Sequence, residues 1–403
     1  MSNSTWTHVS LAECVTSVRA GVSVNSEDRP HAAGEVGVLK TSSISGGAFK
    51  ANEHKTVLAG DRLRVTEPVL GGSVLFSRMN TPLLVGEACY VESDHPSLFL
   101  PDRLWQIRTE PSRVDARWLA YVLQSTGVSS AIKALATGTS GSMKNIAKRS
   151  LLALSILLPP LDEQRRIAEV LNTLEAKVRA TERLVEKLDL LKVGLSQEAF
   201  ASGRAPLVSL GDVAEVRNGS TPSRARRDYW ECGAIAWLAS GKVNDYRITA
   251  PSEFVTQRAV SECHLRVLPV GSVLVGMIGQ GKTRGMAARL DIPAAINQNL
   301  AGIVPGPRLL GGYLHHYLVH SYQMLRSGGR GSNQDALTTG LVAAFRVPFP
   351  SIPEQRRVAN LLDVLDLRIK SEREVVAKLT AQKEGLLADL LTGCARVPAE
   401  VAS

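Results

Sequence analysis

The chain has 403 residues, of which 44% are hydrophobic and 21% charged, a composition typical of a globular protein with about two to four domains. Lys and Arg outnumber Asp and Glu by 47 to 38, and the formal net charge of +9 favours an anionic partner. The longest apolar run, residues 151–161, is too short to span a bilayer, and the N-terminal residues lack a secretion-signal pattern. Five scattered cysteines predict reduced thiols, so we expect a cytoplasmic protein without membrane contact.

Residues 1–157 are predicted to form a first globular domain of α+β type. An apolar strand at 9–11 is followed by short β-type segments broken by Gly, Ser, Asn and Pro, and a helical pattern at 118–135 ends the domain. Arg and Lys bind DNA phosphates or the guanine edge, and the Ser hydroxyl can bind a phosphate or a base edge. The polar, basic loops therefore give four candidate nucleic-acid contacts, which are Lys40, Ser43, Ser77 and Arg78.

A long helix is predicted over residues 158–203. Two prolines and the acidic residues Asp162 and Glu163 stand at its start, where a helix has exposed N–H groups and a positive dipole end. The segment 163–200 alone would be about 57 Å long as a helix. Its apolar residues recur at spacings of three and four, which is typical of a coiled-coil seam, and they are Ile167, Leu171, Leu174, Val178, Val185, Leu188 and Leu195.

A second globular domain is predicted over residues 204–348, on the same plan as the first. It begins with a strand at 208–210, continues with a β-type segment at 234–238 and ends with a helical stretch at 313–325. The same reasoning about basic and polar loops gives its candidate nucleic-acid contacts, which are Ser220, Thr221, Arg224, Ser240, Lys242, Gln280 and Lys282.

A second long helix is predicted over residues 349–395, followed by a tail at 396–403. Its start repeats that of the first helix at an offset of 191 residues, and strand segments of the two domains match at an offset of 199. The chain is therefore a duplicated unit, in which a globular domain is followed by a helix. We expect the two helices to pack antiparallel and to act as a spacer between the domains; the alternative is two ordinary surface helices on separate domains.

The first turn of each predicted helix carries the tetrad Glu-Gln-Arg-Arg. Physical reasoning leaves two interpretations equally open, namely solvated helix capping and a docking site for a partner. The candidate docking residues are Glu163, Gln164, Arg165, Arg166, Glu354, Gln355, Arg356 and Arg357.

The positive charge is concentrated in the predicted globular domains. The net charge is +3 for residues 1–157 and +7 for residues 204–348, but −1 for 158–203 and 0 for 349–403. Binding of a polyanion is therefore expected in the domains and not along the helices.

Two patterns resemble catalytic or metal-binding motifs, and we expect neither to act as one. Residues 276–283 match the P-loop pattern, but a P-loop needs a long helix after the Thr, and the proline at position 293 makes such a helix improbable. His316 and His320 are spaced for one helix face, yet the sequence offers no third ligand. We therefore predict no catalytic residue and no metal site in this chain, and the P-loop protein remains a minor alternative.

The duplicated arrangement resembles the specificity subunit of type I restriction–modification enzymes. The resemblance is carried by residues 159–168 and 350–359, and by the loop motifs at 218–222, 237–241, 271–274 and 297–299. It covers nearly the whole chain. The first domain has Ala-Gly-Val-Ser at 20–23 where the second has Gly-Ser-Thr-Pro, so its contact loop is less well defined.

This resemblance implies two target-recognition domains separated by two long antiparallel coiled-coil helices. Each domain would read one half of a bipartite, asymmetric site in double-stranded DNA, and the helices would dock two modification (methyltransferase) subunits. Those subunits would bring S-adenosylmethionine and methylate adenine, and restriction subunits with an ATP- and Mg-dependent motor could join. The chain itself would be a non-catalytic recognition subunit without a cofactor. The alternatives are a methylation-only or other defence system, and a coiled-coil scaffold without a DNA role.

Overall fold

The computed structural model describes residues 6–138, 143–201, 205–279, 281–328 and 336–398. Packing divides the chain into two compact units. The first unit contains residues 1–180 and 375–403, and the second unit contains residues 181–374. Each unit therefore combines one globular domain with parts of two long helices.

The elements up to the first long helix follow one another in short pieces, as the many Gly, Ser and Pro breaks predict. They are β1 Thr7–Ser10, β2 Val15–Ala20, β3 Ser26–Glu27, β4 Gly37–Leu39, β5 Ile44–Ser45, β6 Ala48–Phe49, β7 His54–Val57, β8 Pro68–Val69, β9 Val74–Ser77, β10 Met79–Asn80, β11 Ala88–Tyr90, β12 His95–Phe99, β13 Leu104–Thr109, α1 Ala116–Gln124, α2 Thr126–Ala134, β14 Lys144–Asn145, α3 Lys148–Leu152, β15 Ser155–Leu158 and α4 Leu161–Ala199.

The remaining elements follow the same general plan with fewer strands, and they again end in a long helix. They are β16 Leu207–Ser209, α5 Leu210–Val213, β17 Ala214–Asn218, β18 Ile235–Leu238, β19 Arg247–Ile248, β20 Glu253–Val255, α6 Gln257–Glu262, β21 Val273–Gly276, β22 Ala287–Leu290, β23 Ala295–Ile296, β24 Leu300–Pro305, α7 Gly311–His320, α8 Tyr322–Ser327, α9 Thr339–Ala344, β25 Arg346–Pro348 and α10 Ile352–Thr392.

The first unit is built on two sheets. One is antiparallel, in the order β11-β9-β13-β2, and the other has the order β3-β7-β4-β12-β8, with β4 and β12 parallel. The strand β1 pairs with β15, which brings the two ends of the domain together. The main core lies between the antiparallel sheet and α1, where Phe76, Ile107 and Trp118 are fully buried.

The second unit repeats the topology of the first. Its larger sheet has the order β17-β24-β21-β22-β19, and β16 pairs with β25 as β1 pairs with β15. A smaller sheet, β20-β18-β23, contains the parallel pair β18 and β23. The helix α7 covers the larger sheet and buries Tyr313 and Leu314.

The long helices pair antiparallel within each unit. In the first unit, Leu171 near the start of α4 shares a core with Leu390 near the end of α10. In the second unit, Leu362 near the start of α10 shares a core with the end of α4, and Arg373 pairs with Asp189 at 2.8 Å. These contacts satisfy the apolar stripe that neither helix could bury alone.

The predicted fold class, two sheet-rich α+β domains with two long antiparallel helices, is confirmed. The helices begin and end within about four residues of the predicted bounds, at Leu161–Ala199 and Ile352–Thr392. The contrary expectation, two unrelated surface helices, is wrong, since in each unit parts of both helices share one core.

Candidate nucleic-acid interface and helix junctions

The glutamine of each helix-start tetrad joins its helix to the globular domain. The side chain of Gln164 is completely buried. Its Oε1 accepts a hydrogen bond from the N–H of Asp115 at 2.9 Å, and its Nε2 donates to the carbonyls of Arg113 and Pro159 at 3.0 and 2.8 Å. The amide thus satisfies backbone groups at the N-terminus of α1 and at the start of α4.

Gln355 makes the same three bonds in the second unit. It is also completely buried, accepts from the N–H of Leu310 at 2.9 Å, and donates to the carbonyls of Arg308 and Pro350 at 3.1 and 2.9 Å. The docking role predicted for Gln164 and Gln355 is therefore wrong for these side chains, because both amides are enclosed and hydrogen-bonded inside their own unit.

The other tetrad residues differ between the copies. Glu163 is buried and accepts hydrogen bonds from the Trp6 indole and from Arg396, each at 2.9 Å. Its counterpart Glu354 is half-buried and pairs with Arg357 at 2.7 Å. Glu163 is therefore enclosed inside the first unit, and the docking role predicted for its side chain is wrong.

The arginines of the tetrads lie nearer to solvent. Arg165, Arg356 and Arg357 are exposed, and Arg166 is half-buried. Together with the half-buried Glu354 they are the tetrad residues that a partner could reach, and the docking role of these residues stays a prediction.

Beyond the glutamine, each unit has a polar cluster between its domain helix and the long helices. In the first unit the Tyr121 hydroxyl donates to Glu175 at 2.9 Å, and Lys383 lies 3.5 Å from the same carboxylate. Arg117 donates to the side-chain oxygen of Asn172 at 2.5 Å. Neutral and charged hydrogen bonds are thus mixed in the first unit.

The second unit places charged groups at the matching positions. His316 contacts Asp363 through Nε2 at 3.0 Å, and Arg289 donates to the other oxygen of Asp363 at 3.0 Å. The Tyr246 hydroxyl and Lys192 both contact Asp366. Sequence reasoning missed this cluster, because its residues come from α4, α7, α10, β22 and the loop before β19.

The electrostatics of this cluster follow from its burial. Burial alone raises the pKa of Asp363, but the hydrogen bond from His316 and the positive charge of Arg289 outweigh burial and hold the pKa well below its usual value. Burial, and then the negative charge of Asp366, raises the pKa of Tyr246. Burial keeps the pKa of the neighbouring His315 well below the usual range.

The cluster also brings two carboxylates to His316, for which the sequence offered no third metal ligand. Among the described residues, potential ligand atoms of His316, Asp363 and Asp366 lie within 4.8 Å of one another. The two carboxylates are already paired with the cations of Arg289 and Lys192, so a divalent ion would have to displace both cations. His320 is not part of this cluster; its ring lies 5.3 Å from that of Phe200.

The loop after the first strand of each larger sheet comes into close contact with the smaller sheet. A Cβ on Gly219 would lie 1.7 Å from the carbonyl oxygen of Ile296, and a Cβ on Gly21 would lie 1.6 Å from that of Leu100. Only glycine fits at such an approach. The first domain therefore has the same loop junction as the second, although its sequence motif is weaker.

In the second unit this junction presents a pair of exposed polar side chains. The Thr221 hydroxyl donates to Oε1 of Gln298 at 2.6 Å, and both residues are exposed. The neighbouring Ser220 is half-buried, and its N–H donates to Ile296 at 3.0 Å. The side-chain oxygen of Asn297 accepts from the N–H of Asn299 at 3.1 Å and shapes the turn that carries Gln298. Gln298 was missed as a site residue, although its motif was visible in the sequence.

Arg224 lies beside this pair and is held by two contacts. Its guanidinium makes a bidentate pair with Glu253 at 2.5 and 2.6 Å and lies 3.7 Å from the ring centre of Trp230. The hydrogen bond with Glu253 raises the pKa of Arg224. The pair with Glu253 uses two of the five guanidinium N–H groups, so Arg224 is held in place while its other donors remain for a base.

The remaining predicted contacts of the second unit lie in two other loops. Ser240 is half-buried at the start of a 3₁₀ turn, and Lys242 pairs with Asp245 within that turn. Lys282 is exposed, and its carbonyl accepts from the Tyr322 hydroxyl at 3.2 Å. Gln280 lies outside the described residues.

In the first unit two of the four predicted contacts are wrong as side-chain contacts. Ser43 and Ser77 are completely buried, so their hydroxyls cannot reach a partner in this structure. Lys40 pairs with Asp28 at 2.6 Å, and this hydrogen bond raises its pKa. Arg78 is half-buried with its guanidinium 5.6 Å from the ring centre of Trp105.

The P-loop alternative is also wrong. The strand β21 ends at Gly276, and the described residues 281–286 form bends and turns that lead directly into β22. A P-loop needs a helix whose N-terminus holds the phosphates, and no helix follows Thr283 among these residues.

The fold and these junctions define a class of protein with two copies of one domain, each attached by a buried glutamine to the start of a long helix. The family described as "Type I restriction modification DNA specificity domain" matches this sequence twice, over residues 3–190 and 207–381. The chain belongs to this family, as its duplicated motifs predict.

Curated relatives agree with this assignment at low identity. The chain is 22% identical over 215 residues to the Escherichia coli type I restriction enzyme EcoR124I/EcoR124II specificity subunit. This alignment covers 51% of this chain and 53% of that protein. The chain is also 22% identical over 347 residues to the putative type I restriction enzyme MjaX specificity subunit of Methanocaldococcus jannaschii, with 81% and 79% covered. The alignment thus spans about half the length of the E. coli relative.

Solved structures show the same fold. The S subunit of a type I restriction–modification system from M. genitalium matches with a TM-score of 0.67 at 15% identity, covering 97% of both chains. A chain from a structural study of complex assembly in a type I R-M system matches with a TM-score of 0.54 at 20% identity, covering 96% of this chain and 97% of that chain. Within the described residues, no helix is both long and apolar enough to cross a membrane.

Proposed function

We propose that this chain is the sequence-specific DNA-binding subunit of a type I restriction–modification complex. Each unit reads one half of a bipartite, asymmetric site, and the chain itself carries out no catalytic step. S-adenosylmethionine is held by two modification subunits, and ATP and Mg²⁺ by any restriction subunits that join. The observation that carries this proposal is the duplicated specificity domain, each copy with the same glutamine junction and the same glycine-dependent loop.

Thr221 and Gln298 are the best-defined candidates for reading bases in the second unit. A glutamine can make two hydrogen bonds to adenine, accepting from N6 and donating to N7. The bond from Thr221 uses one lone pair of Oε1, which leaves the second lone pair and the whole Nε2 amide for a base. The Thr221 bond also limits the rotation of the Gln298 side chain and so favours a fixed reading geometry.

The long helices offer a surface for modification subunits. Gly194 and Gly385, which correspond at the offset of 191, each have open space where a side chain would be. Glycine within a helix costs about 1 kcal/mol relative to Ala, so two such glycines on long helices suggest close approach of another backbone. In the second unit, Leu190 on α4 and Val364 and Leu367 on α10 are 72%, 64% and 58% exposed.

Methylome mapping tests the recognition role. The chain is co-expressed with its modification subunit in a host without such a system, and methylated adenines are mapped by single-molecule sequencing. We expect a bipartite motif with an unread gap of roughly one helical turn. Exchanging residues 1–155 for the same segment of another specificity subunit should change one half-site only. A change in both halves, or no motif at all, would contradict the proposal.

Helix docking is tested separately from DNA binding. Gly194→Leu should improve helix propensity yet weaken co-purification of the modification subunit at least tenfold, because the added side chain occupies the approach path. Ala377→Leu, at another exposed helix position, is the matched control and should leave co-purification unchanged. If Gly194→Leu also co-purifies normally, the docking surface lies elsewhere. Restriction of phage plating by the complete system distinguishes a restricting complex from a methylation-only one.

A further inference from the structure

The first unit contains a cavity that its fold does not fill. The cavity has a volume of about 250 Å³ and lies where α1, α4 and β11 meet the loop that contains Gly47. Tyr90, Tyr121 and Glu175 are among the lining residues. The volume exceeds the roughly 150 Å³ that accommodates a benzene ring in an apolar core.

The lining of this cavity combines aromatic and polar side chains. The Phe49 and His95 rings lie 5.2 Å apart in an edge-on arrangement, and the Arg117 guanidinium lies 4.5 Å from the ring centre of Tyr90. The Glu175 carboxylate is mostly buried and already contacts Tyr121, Lys383 and Arg179. A carboxylate has about four acceptor sites, so one remains on Oε1 for a ligand hydroxyl. This combination suits a ring that carries a hydroxyl donor.

The second unit shows what occupies the corresponding space there. The glutamine junctions align Asp115 with Leu310, an offset of 195, which places His315 and His316 at the positions of Ala120 and Tyr121. The offset of 191 places Asp366 at the position of Glu175. Both carboxylates are also contacted by corresponding lysines, since Lys383 lies near Glu175 and Lys192 contacts Asp366.

Tyr246 fills this space in the second unit. Its hydroxyl donates to Asp366 at 2.7 Å, its ring centre lies 4.3 Å from that of His315, and Lys192 Nζ lies 4.8 Å from the ring centre. A phenol ring thus lies against the domain helix, with its hydroxyl on the acidic residue of the long helix.

The backbone explains why the first unit lacks this ring. Tyr246 follows a 3₁₀ turn and has a φ of +64°, a conformation that is unusual for a bulky residue. In the first unit the 3₁₀ turn Thr41–Ser43 is followed by Gly46 and Gly47, with φ of +58° and +76°. The first unit therefore makes a left-handed turn at this place with glycines, which carry no ring. The Gln124 side chain takes the space directly beside Gly47, where its Oε1 would lie 2.1 Å from a Cβ, and it lines the remaining cavity.

We propose that the cavity of the first unit binds a phenol group from outside the chain, with the ring beside Tyr90 and the hydroxyl donating to Glu175. The phenol belongs either to a free aromatic molecule or to a tyrosine side chain of a docked protein. The site is argued from the cavity and its lining and not from DNA recognition, although Gly47 belongs to the segment that begins with the predicted DNA contact Lys40.

Binding of p-cresol to the purified full-length chain tests the site, with stoichiometry measured by calorimetry and ligand-observed NMR. Wild-type protein should bind one p-cresol per chain. Tyr246→Gly should bind two, because this substitution opens the matching cavity in the second unit while glycine suits the positive φ. Tyr246→Phe should still bind one. No binding to the wild-type chain, or no second site in Tyr246→Gly, would overturn the proposal.

A filling variant locates the ligand in the first unit. Ala51 is half-buried and lines the cavity, so Ala51→Trp should reduce p-cresol binding by at least tenfold while the circular dichroism spectrum is unchanged. Persistent one-to-one binding to folded Ala51→Trp protein would place the ligand elsewhere and would overturn the assignment.

The source of the phenol is decided in the assembled complex, and this step rests on the proposed function. If a tyrosine of the modification subunit occupies the cavity, the complex should no longer bind p-cresol, whereas the free chain does. If the complex binds p-cresol as the free chain does, the ligand is a free phenolic molecule. Both results retain the site, which the wild-type and Tyr246→Gly titrations test independently of any DNA recognition.

Discussion

The two repeats join domain to helix with one shared element and one that has diverged. Gln164 and Gln355 are both fully buried and make the same three hydrogen bonds. The cluster next to them pairs Tyr121 with Glu175 in the first unit, but His316 with Asp363 in the second. The backbone groups at a helix start must be satisfied in every copy, whereas a side-chain cluster can change if its charges remain paired.

The difference also shows that the cluster keeps an arginine but supplies it from another position. The second unit has Asp363 in place of Asn172, and its arginine is Arg289 on β22, whereas the first unit uses Arg117 on α1. It also adds Tyr246 where the first unit has glycines and a cavity. The repeats therefore keep one geometry with two different interiors.

The shared junction should have the largest effect on stability. Replacing Gln355 by Leu leaves one N–H and two carbonyl groups without their buried partner, at a cost of about 3 kcal/mol in unfolding free energy. Gln164→Leu should cost about the same in the first unit. Hydrogen exchange of the Leu310 and Asp115 amides measures each junction separately.

The matched control is Gln382→Leu, because Gln382 lies on an exposed part of α10. It should change the unfolding free energy by less than about 0.5 kcal/mol. A difference of more than about 2 kcal/mol between the Gln164→Leu and Gln355→Leu proteins would break the view that the two junctions are energetically equivalent.

The loop pair of the second unit should decide one half-site. Gln298→Leu removes both hydrogen bonds to a base and should reduce discrimination at one position by about 1–3 kcal/mol, a factor of about 5 to 150. Thr221→Val should have a smaller effect at the same position. Methylome mapping of the complex measures this change; altered specificity in the other half-site would show that the units do not read separately.

Acid should weaken the second unit more than the first. His315 is 1% exposed, and its folded pKa is lowered by burial. Below the unfolded pKa of about 6.5, His315 therefore takes up a proton in the unfolded chain but not in the folded chain. The free energy of unfolding then decreases as the pH is lowered, by up to about 1.4 kcal/mol per pH unit. The lowered pKa of Asp363 adds a loss only below about pH 4.

Hydrogen exchange of α7 and α1 amides between pH 7.5 and 5.5 checks this difference. His315→Phe should reduce the acid sensitivity of α7. Part of that sensitivity should remain, because burial also lowers the pKa of His320. Equal acid sensitivity of α1 and α7 would show that the charged cluster does not distinguish the repeats.

The smallest expected effect concerns non-specific DNA affinity. Lys282 is exposed in a loop of the basic second domain, and Lys282→Ala should reduce the slope of log affinity against log salt by about 0.9 if the lysine contacts a phosphate. Lys378→Ala, on the exposed face of α10, is the control. A similar change in both variants would mean that the helices also bind DNA.

Much of the architecture could be predicted from the sequence because it is carried by periodic or repeated features. The apolar spacing around Leu171 predicted the first long helix, and the duplicated tetrad predicted the second helix and the two repeats. The burial of Gln164, Ser43 and Ser77 was not predicted, because polar residues at loop and helix starts are usually exposed. Gln298 and Tyr246 gain their partners from segments 77 and 120 residues away, and no local pattern reveals such contacts.

The sequence by itself determined the duplication, the helices and the family, since these depend on spacing and composition along the chain. The tertiary structure decided which polar side chains are enclosed, which charges pair, and where one repeat leaves a cavity that the other fills. These properties depend on packing between distant segments, where a side chain is exposed or buried according to its neighbours in space and not in sequence.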